Sequence, residues 1–93
     1  MKHTRKNIIY HELIGLNVKI LEYPDPSLVG VTGRIIDETQ KTLLIETPSG
    51  RRVRVLKLHS VLLIMLPNKE KVIIRGARIL ARPEERVKKI RKR

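Results

Sequence analysis

The side chains best suited to chemistry in this 93-residue sequence are arginines and lysines. Arg51, Arg52, Arg54 and Lys57 crowd one short segment. Strand alternation puts Arg52 and Arg54 on one face, with Arg51 and Lys57 flanking them. Arg75, Arg78, Arg82 and Arg86 recur every three or four residues further on, followed by Lys88 and Lys89. Guanidinium groups are planar forks that take phosphate oxygens in pairs. This spacing suits a ribbon of phosphate contacts. The same cations on the 51–57 segment would also suit an ordinary solvated strand whose edge is protected by charge.

Catalytic groupings are missing from the pattern. His3, His11 and His59 are far apart and lack metal-ligand spacing. His11 and Glu12 are neighbours in an expected helix, so their side chains diverge. Asp37 and Glu38 fall on opposite faces of an expected strand and cannot share a proton. Gly30 and Gly33 lack the downstream Lys-Ser/Thr of a phosphate-cradling loop. The sequence therefore assigns no catalytic residue, no metal ligand and no cofactor to this chain.

The charge balance points the same way as the arginines. Lys and Arg number 21 against 9 Asp and Glu, a net charge of +12. Residues 1–74 hold 12 basic and 7 acidic residues, and residues 75–93 hold 9 and 2. More than half of the excess lies in the last fifth of the chain, as in a polyanion-binding arm. No apolar run approaches the roughly 18 residues of a membrane span, and the opening MKHTRKN lacks the apolar stretch of a secretory signal. Cysteine is absent, which excludes disulfide scaffolds and zinc knuckles and makes a cytoplasmic protein the default expectation. Tyr10 and Tyr23 are the sole aromatic residues. A reader that stacks runs of bases needs more, so phosphates, sugars and helical shape are the expected contacts.

These side chains need a rigid support, and the sequence predicts a small all-β one. The length fits a single domain over 1–93, with a thin core. Residues 1–15 are expected to hold an N-terminal helix, with Ile9, Leu13 and Leu16 at helical spacing and Gly15 as its stop. Residues 16–76 are expected to form the barrel. Leu16, Val18 and Ile20 alternate with polar residues, and Tyr23 to Ser27 is a proline-rich loop. Strands follow over 29–38, with Gly30 and Gly33 bending the chain, and over 42–47 and 51–57, with Val53 and Val55 inward. The apolar run 61–66 is expected to be buried on both faces, and 71–75 is the last strand. Residues 77–93 are a basic C-terminal helix or tail. Pro83, Glu84 and Glu85 open it, and Val87 and Ile90 form a narrow apolar stripe. Two apolar residues cannot hold such a helix alone in water, so it needs a partner surface.

Three segments carry a resemblance to a known family. Glu12-Leu13-Ile14-Gly15-Leu16, then Gly30 to Thr39 (GVTGRIIDET), then Arg75 to Arg86 (RGARILARPEER) resemble ribonuclease P protein component 1, in its archaeal form. The resemblance spans nearly the whole chain. It implies an Sm-like, strongly bent antiparallel barrel of about six strands with short terminal helices. It also implies a subunit of the ribonucleoprotein that removes the 5′ leader from precursor tRNA, in which the RNA carries the hydrolytic site and its magnesium. A small zinc-ribbon subunit is the implied protein partner. By carry-over, Arg34, Lys57, Arg75, Arg78, Arg82 and Arg86 are the expected RNA contacts, joined by Arg52, Arg54, Lys88 and Lys89 from the charge pattern. Ile8, Ile9, Leu13, Val87 and Ile90 are the expected protein-docking residues.

Two other readings compete. In one, the barrel is a protein-interaction module of another ribonucleoprotein, Sm-like or ribosomal, and its charge is incidental. In the other it forms an Sm-type ring that threads single-stranded RNA. The scarcity of aromatics argues against the ring, and the expected state in isolation is a monomer.

Overall fold

The structure, a computed structural model, describes residues 13–80. Six strands account for most of this stretch: β1 (Asn17–Glu22), β2 (Thr32–Glu38), β3 (Thr42–Glu46), β4 (Arg52–Leu56), β5 (Val61–Met65) and β6 (Lys71–Arg75). They form one antiparallel sheet in the order β4-β3-β2-β1-β5-β6. Single 3-10 turns occupy Pro26–Leu28 and Gly76–Ile79, and no α-helix lies among the described residues. The terminal helices expected from the sequence fall mostly outside 13–80; the described end of the first, Leu13 to Gly15, is a turn closed by the Leu16 N–H on the Leu13 carbonyl. Gly15 has φ +96°, a left-handed conformation that glycine takes without a Cβ penalty.

Every strand contributes its alternate side chains to one core. Val18 and Ile20, Ile35, Leu43 and Ile45, Val53 and Val55, Leu62 and Ile64, and Ile74 are all buried, joined by Leu13, Leu16, Leu66 and Ile79. Each such side chain contributes about 1.5–3 kcal/mol of transfer free energy. The alternation in 61–66 corrects one expectation. Leu62, Ile64 and Leu66 are buried, while Val61 and Leu63 are half-buried and Met65 is exposed. The run is apolar on both faces but faces the core with only one, because the barrel has a single interior.

Two β-bulges curl the sheet. In β2, Ile35 pairs with Ile45 and Asp37 with Leu44, leaving one extra residue. In β1, Ile20 pairs with Leu62 and Glu22 with Val61. A bulge sharpens twist and reverses which side chains face inward beyond it. Glu38 and Tyr23 both turn inward for that reason. Of the two glycines expected to bend the chain, Gly30 (φ +88°) lies in the turn before β2, where its N–H meets the Ile20 carbonyl at 2.7 Å. Gly33 lies within β2 against the backbone of Glu46, with no room for a Cβ.

The sheet ends meet at a seam. The outer edge of β4 is capped by Tyr23, whose hydroxyl oxygen accepts the Leu56 N–H at 3.0 Å. Gly76, just past β6, packs directly on the Lys57 carbonyl and the Ser60 hydroxyl, and its N–H bonds to the Ser60 carbonyl at 2.8 Å. Replacing Tyr23 with Phe should cost about 0.5–1.5 kcal/mol, the usual net worth of one hydrogen bond. Amide hydrogen exchange should show Leu56 losing protection while Val53 in the same strand keeps it.

Candidate nucleic-acid interface

The outward-facing residues of the sheet line up in rows. Register places Arg52, Glu46, Arg34, Asn17, Met65 and Lys71 side by side across all six strands. A second row runs Thr32, Lys19, Leu63 and Ile73. Arg34, Arg52, Lys19 and Lys71 are exposed, with Glu46 the single carboxylate in these rows. The Arg52 Nε lies 3.4 Å from Glu46 Oε2, a solvent-facing pair that holds little energy but orients the guanidinium outward. Arg54 stands two residues further along β4 and donates from Nη1 to the Thr42 hydroxyl at 3.0 Å.

The structure thus brings Arg34 and Arg52 together, separated by one strand, with Arg54 beside them. Arg75 and Arg78 are exposed and flank the seam, since Gly76 between them sits on the Lys57 carbonyl. Arg82, Arg86, Lys88 and Lys89 lie outside the described residues, as do Ile8, Ile9, Val87 and Ile90.

Lys57 is in a different place from the one expected of a phosphate contact. It is fully buried. Its ammonium donates to Glu38 Oε2 at 2.7 Å and to the carbonyls of Thr39 at 2.8 Å and Gln40 at 3.3 Å. A buried charge is tolerated only when paired and hydrogen-bonded, and Lys57 binds inward to those oxygens. Glu38 is buried too, and its other oxygen accepts the Leu13 N–H at 3.4 Å. Leu13 corrects another expectation. Its side chain is fully buried in the barrel core, so it is not a docking surface.

Lys19 and Lys71 were not among the expected contacts. Their sequence signal was weak: each is a polar residue in an alternating strand, and only the pairing of β1 with β2 and β5, and of β5 with β6, sets them around a common surface. Two further titratable groups, Asp25 and His59, lie in turns away from these rows. Asp25 caps the 3-10 turn; its carboxylate accepts the Ser27 hydroxyl at 2.7 Å and N–H at 3.0 Å, which together hold its pKa below the usual carboxylate value. His59 sits at φ +72° in the exposed turn after β4. Among the described residues, no three His, Asp or Glu side chains gather to hold a metal, and no helix is long and apolar enough to cross a membrane.

This basic, curled sheet has close relatives. Residues 6–89 match the profile of the family described as ribonuclease P/MRP, subunit p29. The chain is 74% identical over 90 residues to ribonuclease P protein component 1 of Staphylothermus marinus, covering 97% of this chain and 98% of that one. It is 59% identical to the protein of the same description from Desulfurococcus amylolyticus, with the same coverage. Among solved structures it is similar to Mth11, described as a homologue of human RNase P protein Rpp29, with 44% identity, a TM-score of 0.60, and coverage of 81% of this chain and 96% of that one. The barrel, the outward cations and the near-complete coverage agree: the chain belongs to the ribonuclease P/MRP subunit p29 family.

Proposed function

We propose that this chain is the RNA-binding subunit of ribonuclease P that braces the catalytic RNA as it removes the 5′ leader of precursor tRNA. The row Arg52–Arg34–Lys71 across the outer face, with Arg54 beside it, carries this reading. Mounted on a hydrogen-bonded sheet, these cations are held in fixed positions and release condensed counterions when phosphates reach them. The RNA, with its magnesium, supplies the hydrolytic chemistry; this chain supplies charge and shape. It acts in the cytoplasm, is a monomer when isolated, and pairs in the assembly with a zinc-ribbon subunit. Exposed Leu56 and Leu58 at the seam are suited to that protein contact.

The test is Arg52→Ala combined with Arg54→Ala. Loss of two phosphate contacts on helical RNA should flatten the plot of log affinity against log salt by roughly 1.8, at about 0.9 per contact. Filter binding to ribonuclease P RNA between low and moderate salt measures it. Thermal unfolding should be nearly unchanged, since both side chains are exposed. An unaltered slope would remove β4 from the interface.

A further inference from the structure

Where the two outward rows cross β2, β1, β5 and β6, the surface sinks into a groove of about 310 Å³. Leu63, Met65 and Pro48 give it an apolar floor and wall. Lys19 and Lys71 stand at its sides, and Asn17 and Thr32 add an amide and a hydroxyl. Among the described residues, no Asp or Glu lines it. The volume is at the lower end of the range for small-ligand sites, too small for a run of bases and suited to one.

We propose that this groove seats a single unpaired nucleotide of the bound RNA, its base on the Leu63–Met65 floor and its phosphates between Lys19 and Lys71. The proposal rests on the RNA-binding reading above and deepens it. A helical segment meets only the flat, charged part of the sheet around Arg52 and Arg54, because paired bases are not free to enter a recess. A looped-out nucleotide presents both an apolar face and an anionic backbone, the same pairing of properties the groove offers. Asn17 and Thr32 can hydrogen-bond the base edge or the ribose hydroxyl, which distinguishes RNA from DNA at a site of this kind. Among the described residues the apolar lining is aliphatic and thioether, and Tyr23 is not part of it. Charge complementarity favours this occupant over an uncharged peptide.

Fluorescence anisotropy on the full chain tests it, using a short labelled oligouridylate and a blunt RNA duplex of similar phosphate count. Met65→Glu places a carboxylate in the groove beside Lys71. It should weaken oligouridylate binding about tenfold, equivalent to roughly 1.4 kcal/mol. Duplex binding should fall by less than about threefold, as for a lone surface charge. Leu63→Ala, which changes no charge, should also weaken the oligouridylate selectively. Arg52→Ala with Arg54→Ala should do the reverse and affect mainly the duplex. Equal losses on both probes with Met65→Glu, or none on either, would overturn the groove assignment while leaving the RNA-binding reading intact. Unchanged RNA binding combined with weaker assembly of the protein subunits would give the groove to a protein and overturn it as well. Failure of the unaltered chain to bind ribonuclease P RNA or either probe would bring down the functional reading itself.

Discussion

Lys57→Ala should destabilise the barrel by about 3–5 kcal/mol, the cost of removing one partner of a buried ion pair. Single domains of this size have only about 5–15 kcal/mol in total. The variant should therefore unfold at far lower urea, with little change in the slope of the transition. The cause is local. Glu38 is buried, and both the Lys57 ammonium and the Leu13 N–H donate to its oxygens. Removing the ammonium also deprives the Thr39 and Gln40 carbonyls of a donor. Pairing Lys57→Met with Glu38→Leu separates these effects. It removes both charges and should recover part of the loss, leaving a deficit of about 1–3 kcal/mol for each of the Thr39 and Gln40 carbonyls and the Leu13 N–H that water does not reach. If Lys57→Ala costs no more than a surface substitution, the ammonium is not the tie between β2 and the end of β4. In that case Lys57 would return to the list of available phosphate contacts.

The second large effect is expected at Gly76. Its backbone dihedrals are ordinary, so the need for glycine comes from proximity. A Cβ at this position would overlap the Lys57 carbonyl and the Ser60 hydroxyl. The first obstacle is backbone, held in turn by the Ser60 Oγ–H and N–H that both donate to the same carbonyl. Relief requires the β6 end to move away from the β4 end, breaking the 2.8 Å bond from the Gly76 N–H to Ser60. Gly76→Ala should cost about 3 kcal/mol, at the upper end for overpacking, and lower the melting temperature on the order of 15 °C in a domain of this length. Gly50→Ala is the useful contrast. Gly50 has φ +89° but open space around its Cβ position, so the penalty is the left-handed backbone alone, about 1–2 kcal/mol. Calorimetry on the two variants should rank them in that order. The reverse order would mean that the seam is loose.

These two sites also show where reading along the chain stops being sufficient. Alternation correctly put Val18, Ile20, Leu43, Ile45, Val53 and Val55 inside and Arg52 and Arg54 outside, because side-chain direction in a strand follows from local geometry with period two. Extending that period from Val53 and Val55 puts Lys57 inward as well. A lone lysine at an inward position gives no sign of staying there, since its burial depends on a carboxylate 19 residues away. That carboxylate was also hidden. By simple alternation from Ile35, Asp37 faces the core and Glu38 faces water. The bulge between Ile35 and Asp37 reverses this, leaving Asp37 exposed and Glu38 buried. The β1 bulge does the same for Tyr23, turning its hydroxyl toward the β4 edge.

The surface divides along the same line. Arg52 and Arg54 were legible as outward cations from their own strand, and Arg34 was expected from the family resemblance. The groove was not, because Lys19, Leu63, Met65 and Lys71 come from three strands whose register is set by pairing across the sheet.

By itself, the sequence determined the sign of the surface, the inward and outward faces of the regular strand segments, and the places where the chain must turn. Those properties are local, or additive over residues. Only the tertiary structure decided that one lysine is a core strut and not a phosphate ligand, that Leu13 belongs to the interior, and that two lysines share a recess with an apolar floor. Each of those outcomes depends on which distant strand lies alongside. Burial of a charge, like formation of a groove, is a property of neighbours that the chain acquires only when the sheet curls and closes.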